Sequence, residues 1–308
     1  MKLTHPDIVI KHIKTKNKLR KIVSYRSETC DLKNTHKKIN DFLERYFCPS
    51  IFTKGYVRNQ SIFDNAYAHM YNDFFITLDI KNFFQQICLT QLYKKLYHEI
   101  NLVDSKAISL QECKRIVDLC SISTRGIPLG FVTSPILSNI YLKEFDCIFF
   151  GKLKKMNLNN VIYTRYADDL TISFKDSEQI DPDEIKENII CLASSLLSKY
   201  GLHLNNQKTR FYNLAVSNHV RITGVNIIRS DENKRRLTVG RSVKNKMFWD
   251  AINSLQEKDE KTINHIKGMQ SFILSVEKKG YEDCFSSGMK EKLKSLGFDS
   301  LKSLIDSL

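Results

Sequence analysis

The stretch Val161-Ile162-Tyr163-Thr164-Arg165-Tyr166-Ala167-Asp168-Asp169-Leu170-Thr171-Ile172-Ser173-Phe174 reads as a β-hairpin with two adjacent carboxylates, Asp168 and Asp169, at its tip. Before the tip, Ile162, Tyr163, Thr164 and Tyr166 all favour strand. After it, Leu170, Ile172 and Phe174 alternate with Thr171 and Ser173, a period of two that predicts one apolar and one polar face. Adjacent carboxylates repel each other, and a hard divalent ion suits their oxygens. An isolated Asp-Asp pair is commonly just a solvated turn, because turns are rich in Asp. Here strands flank the pair on both sides, and a third carboxylate has a similar setting.

That third carboxylate is Asp79, in Phe74-Phe75-Ile76-Thr77-Leu78-Asp79-Ile80-Lys81-Asn82-Phe83-Phe84. An Asp closing an apolar strand is unfavourable unless it is a ligand, a cap or a member of a pair. Two strands that each end in aspartate predict a site for two Mg²⁺ ions about 4 Å apart, which clamp the attacking and leaving oxygens of a phosphoryl transfer.

Composition fits that chemistry. The chain has 308 residues, enough for one large domain or two to three subdomains, and 42% of them are hydrophobic, which allows a sizeable core. With 48 Lys and Arg against 34 Asp and Glu the formal net charge is +14. That exceeds what solubility needs and points to a polyanionic partner such as nucleic acid. The eight cysteines form no C-x-x-C pair, so they read as reduced thiols of a cytoplasmic protein with no zinc site. No long apolar run follows the first residues, so neither a signal peptide nor a membrane span is expected.

Outward from the two strands, the chain divides readily. Lys11, Lys14, Lys16, Lys18, Arg20 and Lys21 lead into Ile22-Val23-Ser24-Tyr25, either a solvated flank or a phosphate-facing strand pair. Leu32, His36, Ile39, Leu43 and Phe47 recur at helical spacing, with His36 as a packed core histidine and Cys48-Pro49-Ser50 as the stop. Residues 51–72 are irregular and aromatic. Helices are expected around Leu92, Leu96 and Ile100 and over 108–120. Beyond the turn-rich Arg125–Gly130 connector, Ser134 as N-cap and Pro135 as first helical residue open a helix through Ile140, Tyr141 and Phe145. Its free N–H groups make either an anion site or an ordinary capped helix end. Ile185, Ile189, Leu192 and Leu196 mark a helix that stops at Gly201, with short strands expected at 202–212 and 219–228. This order fits a split βαβ sheet. From 229 the chain turns basic, with Lys234, Arg235, Arg236, Arg241, Lys244 and Lys246. Helices are expected at 242–257, 260–277 and 288–307. The expected division is therefore 1–228 and a helical 229–308.

Tyr166-Ala167-Asp168-Asp169 resembles the YxDD signature of reverse transcriptases. Leu78-Asp79 followed by Phe83-Phe84 resembles the earlier metal-binding motif of that family. Gly130, Ser134, Pro135 and Asn139 match parts of its LPQGxxxSPxLxN stretch. Within the family the chain is most similar to retron reverse transcriptases: Asn65-Ala66-Tyr67-Ala68-His69 matches their NAxxH element, Ile222-Thr223-Gly224 their VTG element, and Ser271–Val276 their thumbs.

The resemblance implies an α+β right-hand polymerase fold. Fingers would take about 1–70 and 85–130, a ferredoxin-like palm would hold the three aspartates, and 229–308 would be a helical thumb gripping RNA or hybrid. It implies an RNA-directed DNA polymerase, a nucleotidyltransferase using dNTPs. Synthesis would be primed from a 2′-hydroxyl of a structured non-coding RNA and yield multicopy single-stranded DNA (msDNA). Such retron systems resemble antiviral defence modules, with a separately encoded effector protein as partner and no membrane. No RNase H domain is expected in the basic residues after the palm.

It also implies residue roles. Asp79 and Asp168 hold the two Mg²⁺, Asp169 completes or orients the site, and Ile80 offers its backbone. Phe84 stands where the family has an aromatic gate against a ribose 2′-hydroxyl, whereas Phe83 is core, because strand neighbours face opposite ways. Leu129 and Gly130 lie against the incoming nucleotide, and Leu129 replaces the usual Gln, keeping dispersion contact without a hydrogen bond. Arg165 and Tyr166 touch the primer end, or Arg165 is a strand-edge charge. Asn65 and His69 contact RNA or orient a loop, or they are an internal hydrogen-bonded pair. Lys234, Arg235, Arg236, Arg241, Lys244 and Lys246 grip RNA phosphates. Alternatives are a group II intron-like or abortive-infection enzyme, or a non-catalytic RNA-binding scaffold controlling an effector.

Overall fold

The computed structural model describes residues 5–15, 18–104, 107–175, 181–229, 234–257, 259–277 and 280–308. Lys16 of the expected basic run lies outside them. The chain forms two compact units: residues up to Ser61 together with Asn72–Tyr212, and Ile62–Tyr71 together with Asn213–Leu308. The expected cut at 229 is placed differently from this grouping, which moves 62–71 and 213–228 into the second unit.

The first unit opens with an antiparallel hairpin of β1 (Ile8–Thr15) and β2 (Lys18–Tyr25). Its main sheet contains β3 (Phe74–Asp79), β4 (Ile162–Tyr166), β5 (Asp169–Phe174) and β6 (Arg210–Asn213), in the order β4-β5-β3-β6. Numbered from β3, that is the 2-3-1-4 order of a split βαβ arrangement, with helices Ser134–Leu153 and Pro182–Lys199 as the crossovers. β5 is central, and this corrects its expected polar face. Thr171 and Ser173 are as buried as Leu170, Ile172 and Phe174. Ser173 meets its polar need by accepting from the Asn72 side chain at 2.7 Å.

Helix Ser134–Leu153 is apolar on nearly every side and is buried accordingly: Leu137, Ile140, Tyr141, Leu142, Phe145 and Phe149 all sit in one core. It starts one residue before the expected first helical residue. Thr133 is the N-cap, and the Ser134 hydroxyl instead donates to the Pro128 carbonyl at 2.7 Å. Helices Asp31–Tyr46, Leu89–Val103 and Leu110–Leu119 complete the unit. His36 is fully buried in the first of these, with Tyr25 Oη 2.8 Å from Nδ1 and the Leu119 carbonyl 3.1 Å from Nε2. A carbonyl only accepts, so Nε2 carries the proton and Nδ1 accepts from the tyrosine. Helix Pro182–Lys199 stops as expected. Gly201 takes φ +66, and the N–H of Leu202 reaches back to the Leu197 carbonyl.

The second unit packs helix Ile62–Ala68 on a three-stranded antiparallel sheet of β7 (His219–Ile222), β8 (Val225–Arg229) and β9 (Arg235–Thr238). The single strand expected at 219–228 is therefore a hairpin. Thr223 (φ +45) and Gly224 (φ +95) form its two-residue turn, with positive φ at both central positions. Helices Arg241–Glu257 and Glu260–Val276 follow. The single helix expected at 288–307 is two, Ser287–Ser295 and Leu301–Ser307. Gly297 at φ +84 ends the first, with Phe298 N–H bonded to the Leu293 carbonyl, and a Ser300–Ser303 capping box begins the second. All eight cysteines are free. Among the described residues no helix is long and apolar enough to cross a membrane.

Candidate active site

Sheet register brings the three aspartates together. β3 and β5 run antiparallel with Asp79 directly opposite Asp169, and β4 returns into β5 with Tyr166 opposite Asp169. The loop between them is only Ala167 and Asp168. A two-residue hairpin loop needs positive φ at its first central position, and Ala167 supplies it at φ +57, where a side chain is disfavoured. The Asp168 carbonyl accepts from Ile80 N–H at 3.0 Å, which ties the tip to the end of β3.

The cluster carries excess negative charge. Like charges directly opposite on neighbouring strands destabilise a sheet. Asp169 keeps an exposed edge, yet desolvation at the tip pushes its carboxyl up to about 6, and the charges of Asp168 and Asp79 push the same way against the pull of Lys208. The nearby Tyr56 phenol is raised by burial and then by Asp168. One ammonium partly compensates: Lys208 Nζ lies 2.7 Å from Asp79 Oδ2, and this hydrogen bond raises the lysine pKa. Asn205 Nδ2 donates to Asp79 Oδ1 at 3.0 Å, and its backbone N–H donates to the Asp79 carbonyl at 2.7 Å.

Asn205 and Lys208 contact Asp79 and were not singled out from the sequence. They lie on a polar turn after Leu204, which bridges Ile80. The available signal was a lone cation in the polar run Asn205-Asn206-Gln207-Lys208. Among the described residues, no group of three or more His, Cys, Asp or Glu is closed up enough to hold an ion as it stands. The donors nevertheless suit a hard divalent ion. They are carboxylate oxygens whose mutual repulsion a cation would relieve, and Asp79, now paired with Lys208, is among the residues that would hold it.

The other expected residues fall in several places. The Ile80 side chain is in the core. Phe83 and Phe84 lie on a short helix, Phe83–Gln86, and both are buried, so strand alternation is not what packs Phe83. Leu129 is half-buried, and its carbonyl accepts from Val23 N–H at 3.0 Å. Gly130 (φ +106) lies so close to β2 that an added Cβ would stand 2.3 Å from the Val23 carbonyl oxygen. Tyr166 is half-buried, with its ring centroid 6.4 Å from that of Tyr56. Arg165 is neither a primer contact nor a strand-edge charge. It is 0% exposed and paired with Asp146, so it has no surface to offer.

In the second unit, Asn65 and His69 are fully buried, which removes them from direct RNA contact. The two short elements singled out in sequence meet here: Asn65 Nδ2 donates to Thr223 Oγ1 at 3.1 Å, so the helix side chain braces the hairpin turn. Lys244 is also buried, 2.8 Å from Glu277, and so holds helices together instead of facing solvent. Lys234, Arg236, Arg241 and Lys246 are exposed, and Arg235 is half-buried with Nη1 3.3 Å from the Met70 carbonyl. Arg236 and Arg241 line a groove together with Arg221 and Arg229, which the sequence reading had left unassigned on the hairpin.

The family described as reverse transcriptase (RNA-dependent DNA polymerase) matches residues 13–227. The chain is 31% identical over 160 residues to the Retron Ec73 reverse transcriptase of Escherichia coli, a match covering 46% of this chain and 51% of that one. It is 26% identical over 277 residues to the Retron Ec83 reverse transcriptase of Escherichia coli, covering 86% and 83%. The matched stretch thus spans about half of the first relative and most of the second. Among solved structures, apo telomerase from Candida tropicalis, truncated from its C-terminal domain, shares the fold. The TM-score is 0.50 at 16% identity, covering 74% of this chain and 55% of that chain.

Proposed function

The chain belongs to the reverse transcriptase (RNA-dependent DNA polymerase) family, and on that premise we propose that it is a retron-type enzyme. It copies a structured non-coding RNA into DNA. The observation that carries this reading is the Asp79–Asp169 cross-strand pair with Asp168 at the adjoining tip. Such a cluster suits divalent-ion phosphoryl transfer.

Asp79, Asp168 and Asp169 would hold two Mg²⁺, for which their oxygen donors fit. Such ions would supply a lowered pKa for the primer hydroxyl and charge neutralisation for the departing pyrophosphate. The chain's own contribution is placement. β3 and β5 fix the separation of Asp79 and Asp169, and the Ile80–Asp168 bond fixes the tip. Lys208 compensates the Asp79 charge. Phe84, Leu129 and Gly130 bound the nucleotide side. Arg236 and Arg241, with Arg221 and Arg229, offer a cationic groove to RNA phosphates. The finer reading is priming from an RNA 2′-hydroxyl, an msDNA product and a separately encoded effector in antiviral defence.

The test is expression of the chain with the DNA flanking its gene, with Asp168→Asn/Asp169→Asn as control. Discrete single-stranded DNA joined to RNA, absent from the control, supports the retron reading. Extension of an artificial primer–template with no such product removes the retron assignment and keeps the polymerase. Extension by neither route overturns the catalytic reading.

A further inference from the structure

Three residues before Asp168, Arg165 is sealed from solvent, and all five of its guanidinium N–H groups are used. Nε and Nη2 make a fork on Asp146 at 2.8 Å each. Nη2 also reaches Thr53 Oγ1 at 2.9 Å, and Nη1 reaches Asn139 Oδ1 at 3.1 Å and the Ala167 carbonyl at 3.3 Å. Asp146, itself 0% exposed, accepts further bonds from Tyr163 Oη at 2.7 Å and Thr53 Oγ1 at 3.1 Å. Asn139 Nδ2 continues the chain to the Gly55 carbonyl at 3.0 Å, and Gly55 lies against the backbone of Ala167.

A buried ion pair is poor evidence for stability, because desolvation offsets its attraction and apolar side chains fill the same space as well. What sets this one apart is where it ends. One of its N–H groups, on Nη1, ends on the carbonyl of Ala167, the one residue in the turn with a left-handed backbone. A side-chain-bearing residue stays in that region only when its surroundings over-determine it. We propose that Arg165, anchored by Asp146 and steadied by Asn139, is a positioning residue. It holds the Ala167–Asp168 turn in the one geometry that presents both tip aspartates correctly. It touches neither primer nor nucleotide. The inference rests on the catalytic reading of Asp168 and Asp169 given above.

The experiment compares Arg165→Lys, which keeps the charge and loses the fork, with Asn139→Ala, which removes one link and leaves the ion pair intact. Three quantities are read on the full chain well below its melting temperature. These are kcat and dNTP KM on an artificial primer–template, and Mn²⁺ affinity of the protein without nucleic acid, by EPR of the free ion. A positioning role lowers kcat by about tenfold to a hundredfold, since a misplacement near 1 Å has that effect. It also weakens Mn²⁺ binding several-fold and leaves KM within about twofold. If Arg165→Lys does not fold, Asn139→Ala alone decides. Variants that melt earlier yet keep kcat and Mn²⁺ affinity within about twofold of the parent overturn the proposal. Asp168→Asn/Asp169→Asn separates the two readings: extension by that variant removes the catalytic assignment itself, whatever Arg165 does.

Discussion

Replacing Gly55 by Ala tests how tightly the hairpin tip is held. An added Cβ would stand 2.7 Å from Ala167 N and 3.2 Å from the Tyr166 Cα and carbonyl carbon, about 0.7 Å inside ordinary contact with the first. All three neighbours are backbone of the β4–β5 hairpin, so no side-chain rotation relieves the clash. Gly55 does not have a left-handed φ, so Ala can adopt its backbone, and the unfolded chain's lost freedom contributes about 0.4–1 kcal/mol in favour of the variant. Overpacking costs about 1–3 kcal/mol. The net expectation is a loss of up to about 2.6 kcal/mol, or up to about 4 °C in melting temperature. The effect on activity should be larger. A tip displaced by a good part of an ångström is expected to lose about tenfold or more in kcat. Single-turnover extension of an annealed primer–template at saturating dNTP measures it. Gly151→Ala is the matched control. Gly151 lies in helix Ser134–Leu153 with nothing within 4 Å of an added Cβ. That variant should gain about 0.5–1 kcal/mol and keep its kcat. If Gly55→Ala loses stability but keeps kcat within twofold, the tip tolerates displacement and its tight positioning is refuted.

Three further outcomes follow from the same geometry. Burial lowers the His36 pKa below its usual value, so the unfolded chain takes up a proton near pH 6.5 that the fold refuses; stability present above that pH is lost as pH falls through it, and His36→Gln should flatten the urea-midpoint slope between about pH 7 and 5. Asp169 is shifted the other way, to about 6, so in metal-free buffer it weighs against the fold as pH rises from about 4 to 6 and beyond. Asp168→Asn/Asp169→Asn should therefore melt above the parent at pH 8, with a smaller gap at pH 5, while losing activity. Lys208→Met removes the ammonium that an ion must displace from Asp79. Its melting temperature without metal should fall, and the rise on adding Mn²⁺ should exceed the parent's; an equal or smaller rise shows that Lys208 does not compete with the ion.

Local pattern made the aspartate-bearing strands legible, but it could not give their partners. The alternation of Leu170, Ile172 and Phe174 identified β5, and the apolar run ending at Asp79 identified β3. That Asp79 faces Asp169 is a matter of register between strands far apart in the chain, which no periodicity encodes. The same blindness misread the polar residues. Thr171 and Ser173 alternate as solvent-facing residues do, yet a central strand covered on both faces buries them. The β7–β8 turn was missed because Thr223 at φ +45 is an unusual choice where Asn or Gly is favoured.

Arg165 shows most directly what kind of information was missing. On a strand beside two aspartates, a cation is naturally read as a contact for phosphate. The clue against that reading lay elsewhere, in Asp146, a carboxylate set between Phe145 and Phe149 in a largely apolar helix. A charge in such a stretch needs an opposite charge within the core. The strand cation nearest in sequence is Arg165. Pairing the two converts a surface residue into an internal brace and places the hairpin on the helix. It also explains why the turn can keep Ala167 in a conformation that suits glycine. The strain at the tip and the ion pair beneath it are then one device, and loosening either should move the aspartates before it unfolds the chain.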